Sequence, residues 1–404
     1  MHQPLEGIRV LEWGTFHAGP GANAILAEMG AEVIKIEQPG VGDPMRHQAR
    51  FGHASFELPG GRSLFNEASN RSKKGITVNL TQEQGREIAY RLVSRSDVFL
   101  TNFRPQVVEE MRMTYPTLLE HNPRLIYVSV SAYGSRGPDS RRGGFDFQGQ
   151  ARSGLMFAMG EPDMPPMVLH FGVIDQATAI MTSHAILTAL LMRERFGIGQ
   201  HVHTSILGTA MYLQYMNVLT ALQLKRDVPK HHRSDTDPLR NYYRCQDGRW
   251  LCMAFPAHWE DRWPMLCQAM GHPELQDHPE FSTREMRLKN TTSLVTVFDD
   301  IFATRPRDEW LKAFAEIDLI ACPVNSALEL ESDPQVMENE YIIDFDDPDY
   351  GTVRLPGYPV HFSETSVRTK SIAPALGEHN EEVLSGIGGY SAEEIARFRR
   401  EAVI

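Results

Sequence analysis

The chain has 404 residues, 42% hydrophobic and 23% charged, which is ordinary for a folded protein with a sizeable core and points to two domains or one large one. Its net charge of −12 argues against a nucleic-acid partner, because phosphate backbones demand positive charge. No run approaches the roughly 20 apolar residues of a membrane helix, and the opening Met1–Glu6 has no basic stretch followed by an apolar one, so the sequence reads as a cytoplasmic protein with no signal peptide and no membrane partner.

In chain order, the first 40 residues predict a β-α-β unit. Ile8–Trp13 reads as a strand, a loop carries Gly14, Gly19, Pro20 and Gly21, and Ala24, Ile25, Leu26 and Met29 form a helical stripe. Glu32–Glu37 is a second strand rich in β-branched residues. The pattern continues with a helix over 82–95, a strand over 97–101, a helix over 105–121 broken at Pro116, and a strand over 125–131. A loop over 134–144, a long helix over 176–195, a strand over 201–206 and a Met-rich helix over 208–222 follow. Strands alternating with helices predict an α/β fold with a Rossmann-like parallel sheet. A polar, basic stretch over 224–240 reads as a linker. Residues 241–330 predict a smaller α+β domain, with a hairpin at Asp247-Gly248 and helices at 258–270, 291–303 and 307–316. The tail adds strands at 353–355 and 360–362 and a helix from 391. The large domain thus covers 1–223 and 331–404.

The glycine-rich turn after the first strand, with Glu37 ending the second, imitates a dinucleotide site, but Gly14, Gly19 and Gly21 do not form the required spacing. Cys245, Cys252, Cys267 and Cys322 match neither a zinc motif nor a redox pair by spacing and read as reduced thiols, and no metal is implied. Lys73 and Lys74 read as surface charges. Asp175 opens the 176–195 helix, where backbone N–H groups favour a negative charge; the same position suits a plain helix cap.

Several blocks carry a resemblance that spans nearly the whole chain. They are Leu5–Glu12, Ala18-Gly19-Pro20, Leu26–Glu37, Gly42–Arg46, Asp97–Pro105, Gly144-Phe145-Asp146 with Gln150–Gly154, Gly197–Val202 and Gly377–Asn380. Together they resemble the family III CoA-transferases, which include formyl-CoA, carnitine-CoA and bile-acid-CoA transferases and have the α-methylacyl-CoA racemases as relatives. In that family the nucleophilic aspartate lies 29 residues beyond the acidic residue of the Gly-aromatic-Asp/Glu block; counted from Asp146, that position is Asp175.

The resemblance implies an interlocked homodimer and an enzyme that moves CoA between carboxylic acids. It does so through a mixed anhydride and a CoA thioester on Asp175. A carboxylate can attack a thioester carbonyl and release a thiolate, provided that water is kept out and the oxyanion is met by donors. It implies Asp146 as a second carboxylate near the thioester, and His17 as a donor near the acyl group. CoA contacts fall on Ala18, Gln38, Arg46, Leu80, Thr81, Asn102, Phe103, Arg104, Arg142 and Phe145, with the arginines suited to phosphate. Gln38, Thr81 and Glu110 replace basic residues of the formyl-CoA transferase pattern. Met156, Phe157, Met159, Met164 and Met167 suggest an apolar acyl pocket. The racemases place a histidine where this chain has Phe145, which cannot take a proton, so transfer is favoured over racemisation. A non-catalytic CoA-binding protein is the remaining alternative.

Overall fold

The computed structural model describes residues 2–256, 260–347 and 350–404. They divide into two compact units, one of residues 1–158, 166–227 and 340–404, the other of residues 159–165 and 228–339. Residues 228–240, expected as part of a linker, pack within the second unit.

The first unit runs β1 (Arg9–Trp13), α1 (Pro20–Glu28), β2 (Glu32–Glu37), α2 (Leu64–Asn70), β3 (Lys74–Thr77), α3 (Glu83–Val93) and β4 (Val98–Thr101). It continues with α4 (Pro105–Glu110), α5 (Tyr115–His121), β5 (Ile126–Ser131), α6 (Asp146–Arg152), α7 (Leu155–Ala158), α8 (Val173–Phe196), β6 (His201–Ser205), α9 (Ile206–Leu213) and α10 (Tyr215–Leu224). The six strands form one parallel sheet in the order β6-β5-β4-β1-β2-β3. This is the doubly wound arrangement, whose strand order reverses between β1 and β4.

Successive residues of a strand serve opposite faces, and both faces are buried. Val10, Val98 and Leu100 pack with α1 and α8, while Leu11 and Phe99 pack with α3 and the C-terminal helices. Such strands must read as nearly continuous apolar runs, which is why they were legible. Two expected helices are each broken in two. The break in 105–121 falls at residues 111–114, and Pro116 sits in the first turn of α5, where it costs no hydrogen bond. The stretch over 208–222 breaks at Gln214 between α9 and α10.

Several elements were not expected, among them β3 and α2. β3 is four residues long and includes Gly75, and α2 turns Asn66, Ser69 and Asn70 inward, so it shows no apolar period.

The second unit contains β7 (Arg240–Arg244), β8 (Trp250–Ala254), α11 (Trp263–Met270), α12 (Arg284–Lys289), α13 (Thr291–Phe302), α14 (Arg307–Glu316) and β9 (Ala321–Val324). Residues 257–259, next to the expected start of the 258–270 helix, lie outside the described residues. The three strands form an antiparallel sheet, β7-β8-β9. One face packs on an aromatic core with Tyr243, Trp263, Phe298, Phe302, Trp310 and Phe314. The chain then returns to the first unit with the hairpin β10 (Ile342–Asp347) and β11 (Gly351–Pro356), and with α15 (Asn380–Gly386) and α16 (Ala392–Arg400). The expected strand at 360–362 does not form; Val360 and Phe362 are exposed without ladder partners.

Candidate active site

The loops after β1 and β4 meet at the switch point of the sheet, where open α/β folds bind ligands. Asn102 ties them together: its Oδ1 accepts from Thr15 N at 2.9 Å and its Nδ2 donates to the Thr15 carbonyl at 2.6 Å. Gly14 is required beside it, since a Cβ there would lie 2.8 Å from Asn102 Oδ1. Asn102, expected as a CoA contact, is thus spent on joining the loops.

Beneath the first loop lies a cluster of fully buried charges. Lys35 Nζ donates to Glu12 Oε1, Asp43 Oδ2 and the Gly14 carbonyl, each at 2.9 Å. Lys73 Nζ donates to Glu12 Oε2 at 2.7 Å, to the Pro20 carbonyl at 2.8 Å and to Asn70 Oδ1 at 3.2 Å. Asn23 adds a donor to Glu12. Burial alone would raise the Glu12 carboxyl, but Lys35 and Lys73 hold it down at about 2. Burial would likewise lower Lys35, and Asp43 and Glu12 overcome this and raise it; Lys73, with less compensation, falls to about 8. Lys73 is therefore no surface charge: it anchors the start of α1. Lys74 is half-buried and bridges Glu32 and Glu382.

Asp175 stands at the third position of α8. The residue preceding the helix is Gly172, with φ of 67°, after Phe171 at 60°, so the chain enters through two left-handed residues. Asp175 is not the cap. The capping carboxylate comes from Asp146 at the start of α6, whose Oδ2 accepts from Ile174 N at 2.7 Å and Asp175 N at 3.0 Å. Gln150 holds the other Asp146 oxygen and is itself clamped by both backbone groups of Leu169.

Relieved of capping, Asp175 keeps a buried Oδ1 with no hydrogen-bond partner. Burial and then the Asp146 charge push its carboxyl up to about 7. The helix start was expected to favour a negative charge on Asp175, but the backbone donors that would do so are taken by Asp146.

His17 is next to this site. Its Nδ1 meets Ser69 Oγ at 2.8 Å and its Nε2 meets the Gln176 amide at 2.7 Å. Burial lowers the imidazole below its ordinary value, and Arg71 and Lys73 act in the same direction, so the ring is neutral near pH 7. Gln176 presents its amide oxygen Oε1, which only accepts, so Nε2 carries the proton that points at it. Both ring nitrogens are engaged, so His17 acts on an oxyanion only if the Gln176 contact opens. Two residues missed in the sequence, Ser69 and Gln176, thus orient it.

The expected CoA contacts lie along the C-terminal ends of the strands. Ala18 is buried at the start of α1, Gln38 is exposed after β2, and Leu80 and Thr81 follow β3, the first buried and the second bonded to Asn79. Phe103 packs on Trp13 with ring centroids 4.4 Å apart. Arg104 is exposed at the start of α4 and lies against Gly143. Arg142 is in the same loop, exposed and paired with Asp139 at 3.0 Å. Arg46 is different: its guanidinium is committed to Glu37 and the Pro374 carbonyl, so it offers no open fork to a phosphate. Phe145 is exposed and meets the Phe16 ring edge-on at 5.3 Å, and Phe56 meets Phe171 at the same distance. Phe157, Met164 and Met167 are exposed.

The arrangement offers one under-solvated carboxylate at the start of α8, with Arg104 and Arg142 exposed in neighbouring loops. The family model for CoA-transferase family III matches residues 5–380. The succinyl-CoA–D-citramalate CoA-transferase of Chloroflexus aurantiacus is 32% identical, over 100% of this chain and 98% of its own. The formyl-CoA:oxalate CoA-transferase of Streptomyces avermitilis is also 32% identical, over 100% of both chains. Among solved structures, a CAIB/BAIF family protein from Brucella suis superposes with a TM-score of 0.87 at 29% identity, covering 96% of this chain and 100% of that one.

Proposed function

The chain belongs to CoA-transferase family III, and from that premise we propose that Asp175 carries the transferred group. A carboxylate oxygen of Asp175 attacks the thioester carbonyl of the donor acyl-CoA, the tetrahedral adduct expels the CoA thiolate, and an aspartyl mixed anhydride results. The thiolate then attacks the aspartyl carbonyl, releasing the donor acid and leaving CoA as a thioester on Asp175. The acceptor carboxylate repeats the exchange in reverse. Each step trades one acyl bond for another of similar energy, and proton count is unchanged when both acids are ionised.

The observation that carries this reading is the buried, unpartnered Oδ1 of Asp175. A carboxylate deprived of donors and set beside Asp146 is a poorly stabilised anion, and acylation removes its charge. Asp146 positions the nucleophile by holding the start of α8. Phe16, Phe145, Phe56 and Phe171 favour an apolar acyl group. Arg104 and Arg142 suit the CoA phosphates. Phe145 supplies no base, which disfavours racemisation.

We also propose a homodimer, interlocked as the family resemblance implies. Tyr212 and Leu213 at the end of α9 and Tyr215 and Met216 at the start of α10 are exposed by 56–77%, a run of large apolar side chains that a partner chain would cover. A monomer mass by light scattering at micromolar concentration would overturn the dimer.

The test of mechanism is chemical trapping. With acyl-CoA present, hydroxylamine should convert Asp175 alone to its hydroxamate, read by peptide mass spectrometry. CoA binding with an unmodified Asp175 would support the binding-protein reading instead, and deuterium wash-in at the acyl α-carbon would support racemisation.

A further inference from the structure

Cys252 lies on the central strand β8 of the second unit and Cys322 directly opposite it on the edge strand β9. Both point away from the core: their neighbours Leu251 and Met253 are buried, whereas Cys252 is half-buried and Cys322 exposed. Hydrogen-bonded and non-bonded pairs alternate along an antiparallel ladder. Ala254 N donates to the Ile320 carbonyl at 2.9 Å, which makes that a bonded pair. Pro323, opposite Leu251, has no N–H and falls at a non-bonded position. Cys252 and Cys322, between these two, are therefore a bonded pair. The Cα separation of such a pair is about 5.5 Å, within the roughly 4.4–6.8 Å that a disulfide spans.

We propose that Cys252 and Cys322 form a thiol-disulfide exchange site, closing to a cross-strand disulfide with small-molecule disulfides of the glutathione class and reopening with thiols. The thiols are near enough that Cys322 adds to burial in holding the Cys252 thiol above its ordinary range. Cys322, the exposed partner, attacks the small disulfide first, and one glutathione thiolate leaves. Cys252 then loses its proton, attacks the Cys322 sulfur and expels the second. Two protein thiols are oxidised, and one glutathione disulfide is reduced to two thiols. Side chains of a bonded pair start farther apart than in a relaxed disulfide, so the closed form is strained and easily reduced. Cys245 and Cys267 are buried in the unit's core, where burial raises both thiols and keeps them out of exchange.

The experiment incubates the full chain with oxidised glutathione, alkylates free thiols after denaturation, and maps peptides by mass spectrometry. Free thiols should fall from the four present to two, with a peptide linking Cys252 to Cys322 that dithiothreitol releases. In Cys252→Ser the glutathione should remain on Cys322 as a stable adduct. The inference is overturned if the unaltered chain keeps four thiols, if it accumulates glutathione on Cys322 without the link, or if Cys322 instead joins two copies of the chain.

Discussion

Glu12 and Asp175 are carboxylates of the same unit, both removed from water, and their surroundings send them opposite ways. Glu12 has two lysines and an asparagine on its oxygens and is held at about 2. Asp175 has an acid for a neighbour, an oxygen with no donor, and is pushed to about 7. Burial is common to both; what differs is whether opposite charge and donors were buried as well. The first arrangement fixes a loop. The second stores unfavourable energy that bond formation can release. Charge compensation alone thus sets the carboxylate that holds the scaffold apart from the one proposed to react.

The comparison breaks most sharply at Asp175, the proposed nucleophile. Asp175→Ala should lower CoA transfer by at least about 1000-fold, as loss of a covalent nucleophile does, while thermal unfolding shows an intact fold; normal turnover would end the mechanism. Next is the scaffold. Lys73→Met leaves Glu12 short of a counter-charge and should destabilise the chain by about 3–5 kcal/mol in denaturant melts; a change within error would mean that the cluster is not what holds the loop.

Asp175→Asn sharpens the contrast, because it should remove activity and stabilise the fold. A folded-state pKa raised to about 7 means that the native chain binds more protons than the unfolded one between the ordinary aspartate value and 7, so stability falls as pH rises through that window. The variant should recover up to about 4 kcal/mol at pH 8, since each pH unit of that window is worth roughly 1.4 kcal/mol, and nothing below about pH 4. Equal effects at both pH values would refute the assignment. The smallest effect belongs to Asp146→Asn. Its amide oxygen can still cap α8, but the charge is gone, so the acid limb of the rate profile, set by ionisation of Asp175, should move to lower pH.

Elements were readable where a local pattern sufficed. β4 and β5 are nearly continuous apolar runs, and β1 and β2 are rich in Val, Ile and Leu although Glu12 and Lys35 interrupt them; a sheet covered on both faces requires such composition. Asp175 was reached through blocks of resemblance. Its environment was not readable, because the group capping α8 lies 29 residues away and the unpartnered oxygen exists only once that contact forms. Lys73 was misread for a related reason. Adjacent lysines are normally solvated, and the partner that buries this one, Glu12, is 61 residues earlier. Gln176 adjoins Asp175 in sequence, yet its link to His17 spans 159 residues. The exchange-competent cysteines are 70 positions apart and become a pair only through the register of β8 and β9.

Gly21 carries a last consequence. A methyl group there would come 3.0 Å from Ala179 of α8 and 3.1 Å from the His17 ring. The helix behind the histidine loop and the helix bearing Asp175 are thus spaced by a single hydrogen atom. A one-carbon increase at residue 21 would act as a wedge between the two helices, displacing the start of α8 together with Asp175 and pressing on the His17 ring.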